Sequence, residues 1–136
     1  MPTDRPMILA LWSAPRSRST AFERMMRARG DFTVLHEFGE ARGIDGMCWD
    51  ADGNIVATCG WERSGPGPRI AVFATDGTVL EEHLLPTTGG PTNCVFGGTT
   101  LDSLYVTTLD GRLYRVPNTG SRGYLEPPLV RPYSVA

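Results

Sequence analysis

The segment GIDGMCWDADGNIVATC, residues 43–59, decides the fold class of this chain. Two runs of mostly apolar residues flank the polar turn DADGN, and Asp-Gly pairs are typical of tight hairpin turns. The pattern predicts antiparallel strands near Asp45–Trp49 and Ile55–Cys59. A calcium-loop interpretation of the turn lacks the glutamate that would bind the ion through both oxygens, so a hairpin is favoured.

The same alternation of short β-prone runs and Gly-containing turns continues through the rest of the chain. It predicts meandering antiparallel strands. The further strands are expected near Arg69–Ala74, Val79–Leu85, Cys94–Phe96, Leu104–Thr108 and Arg112–Val116.

The first four strands and the following three resemble each other in sequence. In this internal repeat Asp45 and Asn93 occupy equivalent positions, 48 residues apart. A period near 50 residues with three or four strands per unit is typical of β-propeller blades. We therefore predict a mainly β protein, a partial β-propeller of about two blades. Because one such unit cannot bury both of its faces alone, neighbouring blades are expected to be needed.

Residues 7–38 follow a different pattern. Met7–Trp12 is a short apolar run, Thr20 and Glu23 form a helix-capping box, and Gly30 is placed to end that helix. Phe32–Phe38 is predicted as a second strand. The segment is thus predicted to be a short β-loop-α-β unit preceding the propeller blades.

The loop before this helix carries a pattern that suits phosphate. Arg16 and Arg18 supply positive charge, and Ser17, Ser19 and Thr20 supply hydroxyl donors at the start of the helix. A helix N-terminus adds unpaired N–H groups that favour anions. A capped helix preceded by a solvated basic turn explains the same residues, so both interpretations stay open.

Composition limits the classes of function. The formal net charge of −2 gives no general attraction to nucleic acid or anionic membranes. The longest apolar run, Met7–Trp12, is too short to span a bilayer, and it lacks the features of a signal peptide. Three cysteines without a C-x-x-C pair indicate reduced thiols and a cytoplasmic protein.

Residues 7–38, which include LWSAPRSRSTAFERMMRARGDFTVLHEF, resemble the opening of bacterial sulfotransferase-family proteins. The resemblance implies that the loop Arg16–Thr20 contacts the phosphosulfate end of 3′-phosphoadenosine 5′-phosphosulfate. His36 and Glu37 correspond to a His-Glu-Pro-like segment of that family, but Phe38 stands where proline is usual. The resemblance ends there.

Residues 40–118, with GIDGMCWDADGNIVAT and PTNCVFGGTTLDSLYVTTLDGRLYRV, resemble the gluconolactonase, regucalcin and luciferin-regenerating-enzyme family. That family implies a six-bladed propeller that hydrolyses sugar lactones with a divalent metal, such as Ca²⁺, Mg²⁺ or Zn²⁺. Asp45 maps onto the aspartate that binds the metal and acts as general base, and Asn93 is expected to contact substrate. Without the family, Asp45-Gly46 would be interpreted as a turn and Asn93 as a strand cap.

These observations predict four segments: a sulfotransferase-like fragment over 1–38, a junction at 39–43, gluconolactonase-like blades over 44–118 and a C-terminal tail over 119–136. The function expected is that of a truncated or fused member of the metal-dependent lactonase family, incomplete as a catalyst alone. The alternatives are a nucleotide-binding sulfotransferase fragment and a non-catalytic interaction module. Expected partners are a sugar lactone and other copies of the chain, through exposed strand edges, rather than nucleic acid or membrane.

Overall fold

A computed structural model describes residues 19–30 and 32–124, without the side chains of residues 19–23 and 64. The chain divides between Val34 and Leu35 into two units. Within the described residues, no helix is long and apolar enough to cross a membrane.

The first unit contains one described helix, α1 (Ser19–Arg29). It begins within one residue of the predicted start, and Arg27 and Arg29 place positive charge in its last turn, where the helix dipole favours it. Gly30 follows with a φ of +80°, and its N–H donates to the Arg27 carbonyl oxygen at 3.1 Å. The prediction that Gly30 ends the helix is confirmed.

Residues 32–38 are not a strand in the structure, contrary to the sequence prediction. A strand requires a neighbour to pair its backbone, and this segment pairs with none of the described strands. Its aromatic side chains are used for packing instead. The His36 and Phe38 ring centroids lie 4.6 Å apart, and both rings contact Phe73.

The second unit consists of two antiparallel sheets, each a simple meander. The order is β1-β2-β3-β4 in the first sheet and β5-β6-β7 in the second. The strands are β1 (Ile44–Trp49), β2 (Ile55–Trp61), β3 (Ser64–Phe73), β4 (Val79–Leu84), β5 (Pro91–Gly97), β6 (Ser103–Thr108) and β7 (Leu113–Val116). All seven predicted strands are confirmed, and so is the mainly β fold class of two blade-like sheets.

The register of the strands confirms the sequence repeat. The first hairpin closes with Trp49 opposite Ile55, and the corresponding hairpin of the second sheet closes with Gly97 opposite Ser103. Both members of the second pair follow their counterparts by 48 residues. Asp45 and Asn93 are therefore equivalent positions on the first strands of the two sheets.

The two sheets pack face to face around one core. Alternate residues of β2, β3, β5 and β6 point into it, as expected for strands with one face buried against another sheet. The buried members are Val56, Ile70, Val72, Cys94, Phe96, Leu104 and Val106.

A second cluster covers the opposite face of the first sheet. It contains Ile55, Ala57, Cys59, Ala71 and Phe73, with Phe38, Ile44 and Met47 packed against it. Phe38, from the chain leading into β1, therefore covers part of this face. Burial raises the pKa of the Cys59 thiol to about 12.

The outer face of the second sheet has no such cover among the described residues. Val95 is 58% exposed and Leu113 is 67% exposed. Tyr105 lies over Gly97, where an added Cβ would meet the Tyr105 ring at 2.9 Å. This sheet is therefore buried on one face and open on the other.

Candidate functional site

The first strands of the two sheets, β1 and β5, are irregular at equivalent places. In β1 the register shifts between Ile44 and Met47, and in β5 it shifts between Pro91 and Asn93. An extra residue in one strand re-aims the side chains beside it, and such bulges are common next to active sites. The two irregularities contain or adjoin Asp45 and Asn93, the residues that the sequence predicted as catalytic and substrate-binding.

The structure brings these two strand ends together through Gly46. A Cβ built on Gly46 would overlap Asn93 Oδ1 and stand 2.6 Å from the Thr92 carbonyl oxygen. Only a residue without a side chain permits this approach. The backbone that follows Asp45 is therefore in contact with Thr92 and Asn93.

Thr58 holds the Gly46 peptide from the neighbouring strand β2. Its hydroxyl accepts a hydrogen bond from the Gly46 N–H at 2.9 Å and donates to the Gly46 carbonyl oxygen at 3.0 Å. Thr58 is fully buried. Sequence reasoning missed Thr58. The available signal was its hydroxyl, the one polar side chain in the otherwise apolar run IVATC, because a buried hydroxyl needs a hydrogen-bond partner.

Asp45 is paired with Arg42. Arg42 Nη2 lies 2.6 Å from Asp45 Oδ2, and the two side chains are 31% and 27% exposed. The guanidinium has room because Gly90 has no side chain: a Cβ there would stand 2.8 Å from Arg42 Nη1. Arg42 was also missed by sequence reasoning, although opposite charges three residues apart were visible.

The Asn93 side chain turns back onto its own strand. Its Oδ1 accepts a hydrogen bond from the Cys94 N–H at 2.9 Å, which is the strand-capping role considered from sequence. The residue is nevertheless exposed, and its Nδ2 makes no hydrogen bond within the described part of the chain. The amide can therefore cap β5 and still donate outward.

The described residues do not by themselves fit a divalent cation. Among them no three His, Cys, Asp or Glu side chains are grouped so that they could hold a metal ion. The predicted metal ligand, Asp45, already has the Arg42 guanidinium at hydrogen-bond distance. A hard cation such as Ca²⁺ takes six to eight oxygen ligands, which these residues do not gather.

Replacing Arg42 with methionine is expected to strengthen Mn²⁺ binding by about tenfold or more, because it removes the positive charge that competes for Asp45. Electron paramagnetic resonance of Mn²⁺ measures the affinity directly. Arg63→Met, which removes an exposed arginine elsewhere, should leave it unchanged, and Asp45→Asn added to Arg42→Met should abolish the gain. Equal affinity in the wild-type chain and Arg42→Met would contradict this role of Arg42.

The predicted phosphate-binding loop lies largely outside the described residues. Arg16, Ser17 and Arg18 precede them, and Ser19 and Thr20 form the first turn of α1 with undescribed side chains. The start of the helix is confirmed, whereas the phosphate contacts stay a prediction.

Comparison with known proteins addresses the family. Residues 17–110 match the family described as the SMP-30/gluconolactonase/LRE-like region. A 6-deoxy-6-sulfogluconolactonase from Pseudomonas putida is 37% identical over 81 residues, which cover 58% of this chain and 26% of that protein. The chain thus spans about a quarter of the length of that relative, and neither match is to a sulfotransferase. The chain belongs to the SMP-30/gluconolactonase/LRE-like family.

Proposed function

We propose that this chain carries one side of a sugar-lactone hydrolase site, with Asp45 as general base and Asn93 as a substrate-binding amide. The contact between the bulged strand ends at Gly46 and Asn93 is the observation that carries the proposal. The similarity to a protein named for a sulfogluconolactone supports this class of substrate.

The chemistry follows from the free atoms at this end of the sheets. Arg42 binds Asp45 Oδ2, which leaves Oδ1 to accept the proton of a water that attacks the lactone carbonyl carbon. Asn93 Nδ2 is the group that would donate to a substrate oxygen. The ester bond between the carbonyl carbon and the ring oxygen then breaks, and the ring oxygen takes up a proton to give the hydroxy acid.

The described residues supply part of such a catalyst. Among the described residues, Asp45 is not surrounded by a group of metal ligands. Members of the family act with a bound divalent metal. We propose that full activity requires oxygen donors beyond these residues, as expected for a truncated or fused lactonase.

The test measures binding and turnover separately. In an NMR titration with D-gluconate we expect shifts confined to residues 42–46 and 91–94, weakened at least about fivefold by Asn93→Ala. The turnover assay compares Asp45→Asn with a matched control, Asp52→Asn, which makes the same change at the opposite end of the β1–β2 hairpin. In a pH-stat assay with D-glucono-1,5-lactone and each metal, we expect hydrolysis close to the spontaneous rate.

The outcomes distinguish the two claims. An absence of shifts at both strand ends would contradict the site itself. Rapid turnover by the chain alone, lost in Asp45→Asn and retained in Asp52→Asn, would support the site and contradict its incompleteness.

An interaction module is the second candidate, favoured by the open outer face of the second sheet. Val95 and Leu113 expose apolar surface there, beside the edge strand β7. Strand edges and apolar sheet faces favour association between copies. The light-scattering mass of the same samples shows whether the chain self-associates.

Two further hypotheses stay predictions. The loop Arg16–Thr20 would bind the phosphate groups of 3′-phosphoadenosine 5′-phosphosulfate, and α1 beginning at Ser19 agrees with a helix N-terminus beside it. A cytoplasmic location agrees with Cys48, Cys59 and Cys94 being free thiols.

A further inference from the structure

Two cysteines from different sheets meet in the core between them. Cys48 lies on β1 and Cys94 on β5, and their sulfur atoms are 3.9 Å apart. Cys94 is 4% exposed, and its single S–H can donate either to the Val56 carbonyl oxygen at 3.4 Å or to Cys48 Sγ. Cys48 is partly exposed and offers the accessible member of the pair.

We propose that Cys48 and Cys94 form a reversible disulfide that clamps the first sheet to the second. A disulfide has a sulfur–sulfur distance of about 2.05 Å, so the two side chains must together close about 2 Å. Both side chains project into the same core from facing strands. The disulfide therefore needs only a small movement of two residues that are already neighbours.

Cys48 is the residue that reacts first. The hydrogen bond from Cys94 holds the pKa of Cys48 below its ordinary value, and the same bond together with burial raises the pKa of Cys94. The accessible cysteine is therefore also the one with more thiolate, which is the attacking species in thiol chemistry.

The oxidant is a small-molecule disulfide. The Cys48 thiolate attacks one of its sulfur atoms and releases the other as a thiolate, which leaves a mixed disulfide on Cys48. The Cys94 sulfur then attacks Cys48 and loses its proton, and the second small thiol leaves. Two protein thiols become one disulfide, and the small disulfide is reduced to two thiols.

The position of this clamp links it to the candidate site. Cys48 follows Asp45 by three residues on β1, and Cys94 is next to Asn93 on β5. Oxidation would fix the spacing of the two strand ends that carry those residues. The clamp itself stands on the sulfur geometry and does not depend on the proposed lactonase function.

Cys59 provides an internal control. It lies in the cluster on the opposite face of the first sheet, away from the core that holds Cys48 and Cys94. Burial raises its pKa to about 12, and it lies on the far side of the first sheet from the Cys48–Cys94 pair. It should therefore take no part in the reaction.

The experiment equilibrates the reduced full chain in glutathione buffers of increasing oxidation and traps free thiols with N-ethylmaleimide. We expect a monomer that loses two hydrogens, with peptide mapping linking Cys48 to Cys94. The midpoint of thermal unfolding should rise by at least about 5 °C, because the link restricts the unfolded chain. Cys59→Ala should form the same link, and Cys48→Ala or Cys94→Ala should not.

Peptide mapping of the wild-type chain decides the question even if a buried variant fails to fold. The proposal is overturned if the folded chain keeps all three thiols in the most oxidising buffer. Links to Cys59, links between chains, or a disulfide that forms without raising the unfolding temperature would overturn it equally.

Discussion

Gly46→Ala is expected to lower the free energy of unfolding by about 2–3 kcal/mol, as measured by urea denaturation. The added methyl group would overlap Asn93 Oδ1 and stand 2.6 Å from the Thr92 carbonyl oxygen. Forcing a methyl group into a closely packed contact costs about this much. Because Thr58 fixes the Gly46 peptide at both its N–H and its carbonyl, the strand cannot move away freely.

Two controls separate this contact from the general effect of replacing glycine. Gly53→Ala strains a positive φ of +85° in open space and is expected to cost about 1 kcal/mol. Asn93→Ala in the Gly46→Ala background should recover part of the loss, because it removes Asn93 Oδ1, the atom nearest the added methyl group. A Gly46→Ala loss no larger than that of Gly53→Ala would contradict the close contact between the strand ends.

The same substitution also tests the candidate site. If the two strand ends form one site, Gly46→Ala should weaken gluconate binding more than Gly53→Ala does under conditions where both variants are folded. A loss of stability without any change in binding would show that the contact matters for folding alone.

Asp50→Ala is expected to lower the free energy of unfolding by about 2–4 kcal/mol. Asp50 is 2% exposed and organises the β1–β2 turn. Its Oδ1 accepts the N–H groups of Asp52 and Asn54 at 3.0 and 2.7 Å, and its Oδ2 accepts Asn54 Nδ2 at 2.9 Å. Alanine removes the charged acceptor of all three bonds, and a hydrogen bond to a charged group contributes about 1.5–3 kcal/mol to stability.

Asparagine at position 50 provides a graded comparison. Asp50→Asn keeps one acceptor oxygen and should lose less stability than Asp50→Ala. Asp52→Ala is the matched control, since its exposed side chain takes no part in this network. Thermal unfolding followed by circular dichroism gives the order, and equal losses at positions 50 and 52 would contradict the role of Asp50.

Arg42 changes the interpretation of Asp45 that family resemblance suggested. The resemblance implied a metal beside this carboxylate, whereas the structure has a guanidinium 2.6 Å from it. An arginine supplies a fixed positive charge and donors that suit carboxylate oxygens. In the described part of the chain, Asp45 is thus neutralised by a neighbouring side chain.

The β-rich half of the fold was accessible from sequence because its signals are local. Alternation with period two, together with turns such as DADGN and TDGT, predicted all seven strands, and the 48-residue repeat predicted two equivalent sheets. The start of helix α1 was predicted to within one residue, and Gly30 predicted its end. Each of these patterns arises within a few neighbouring residues.

The segment 32–38 shows why local pattern was insufficient elsewhere. Its β-prone residues favour extended backbone, but a strand forms only when a neighbour pairs with it. In the structure His36 and Phe38 pack against Phe73 on the first sheet instead. This packing depends on Phe73, which is more than thirty positions away in sequence, so a local pattern could not predict it.

By itself the sequence determined the strands, their turns, the repeat and the equivalence of Asp45 and Asn93. Tertiary structure alone decided that Gly46 contacts Asn93, that Arg42 occupies the space beside Gly90, and that Cys48 meets Cys94. The physical reason is the range of the interactions. Strand and turn preferences act between adjacent residues, whereas these contacts form only when two sheets pack and bring distant residues to within a few ångströms.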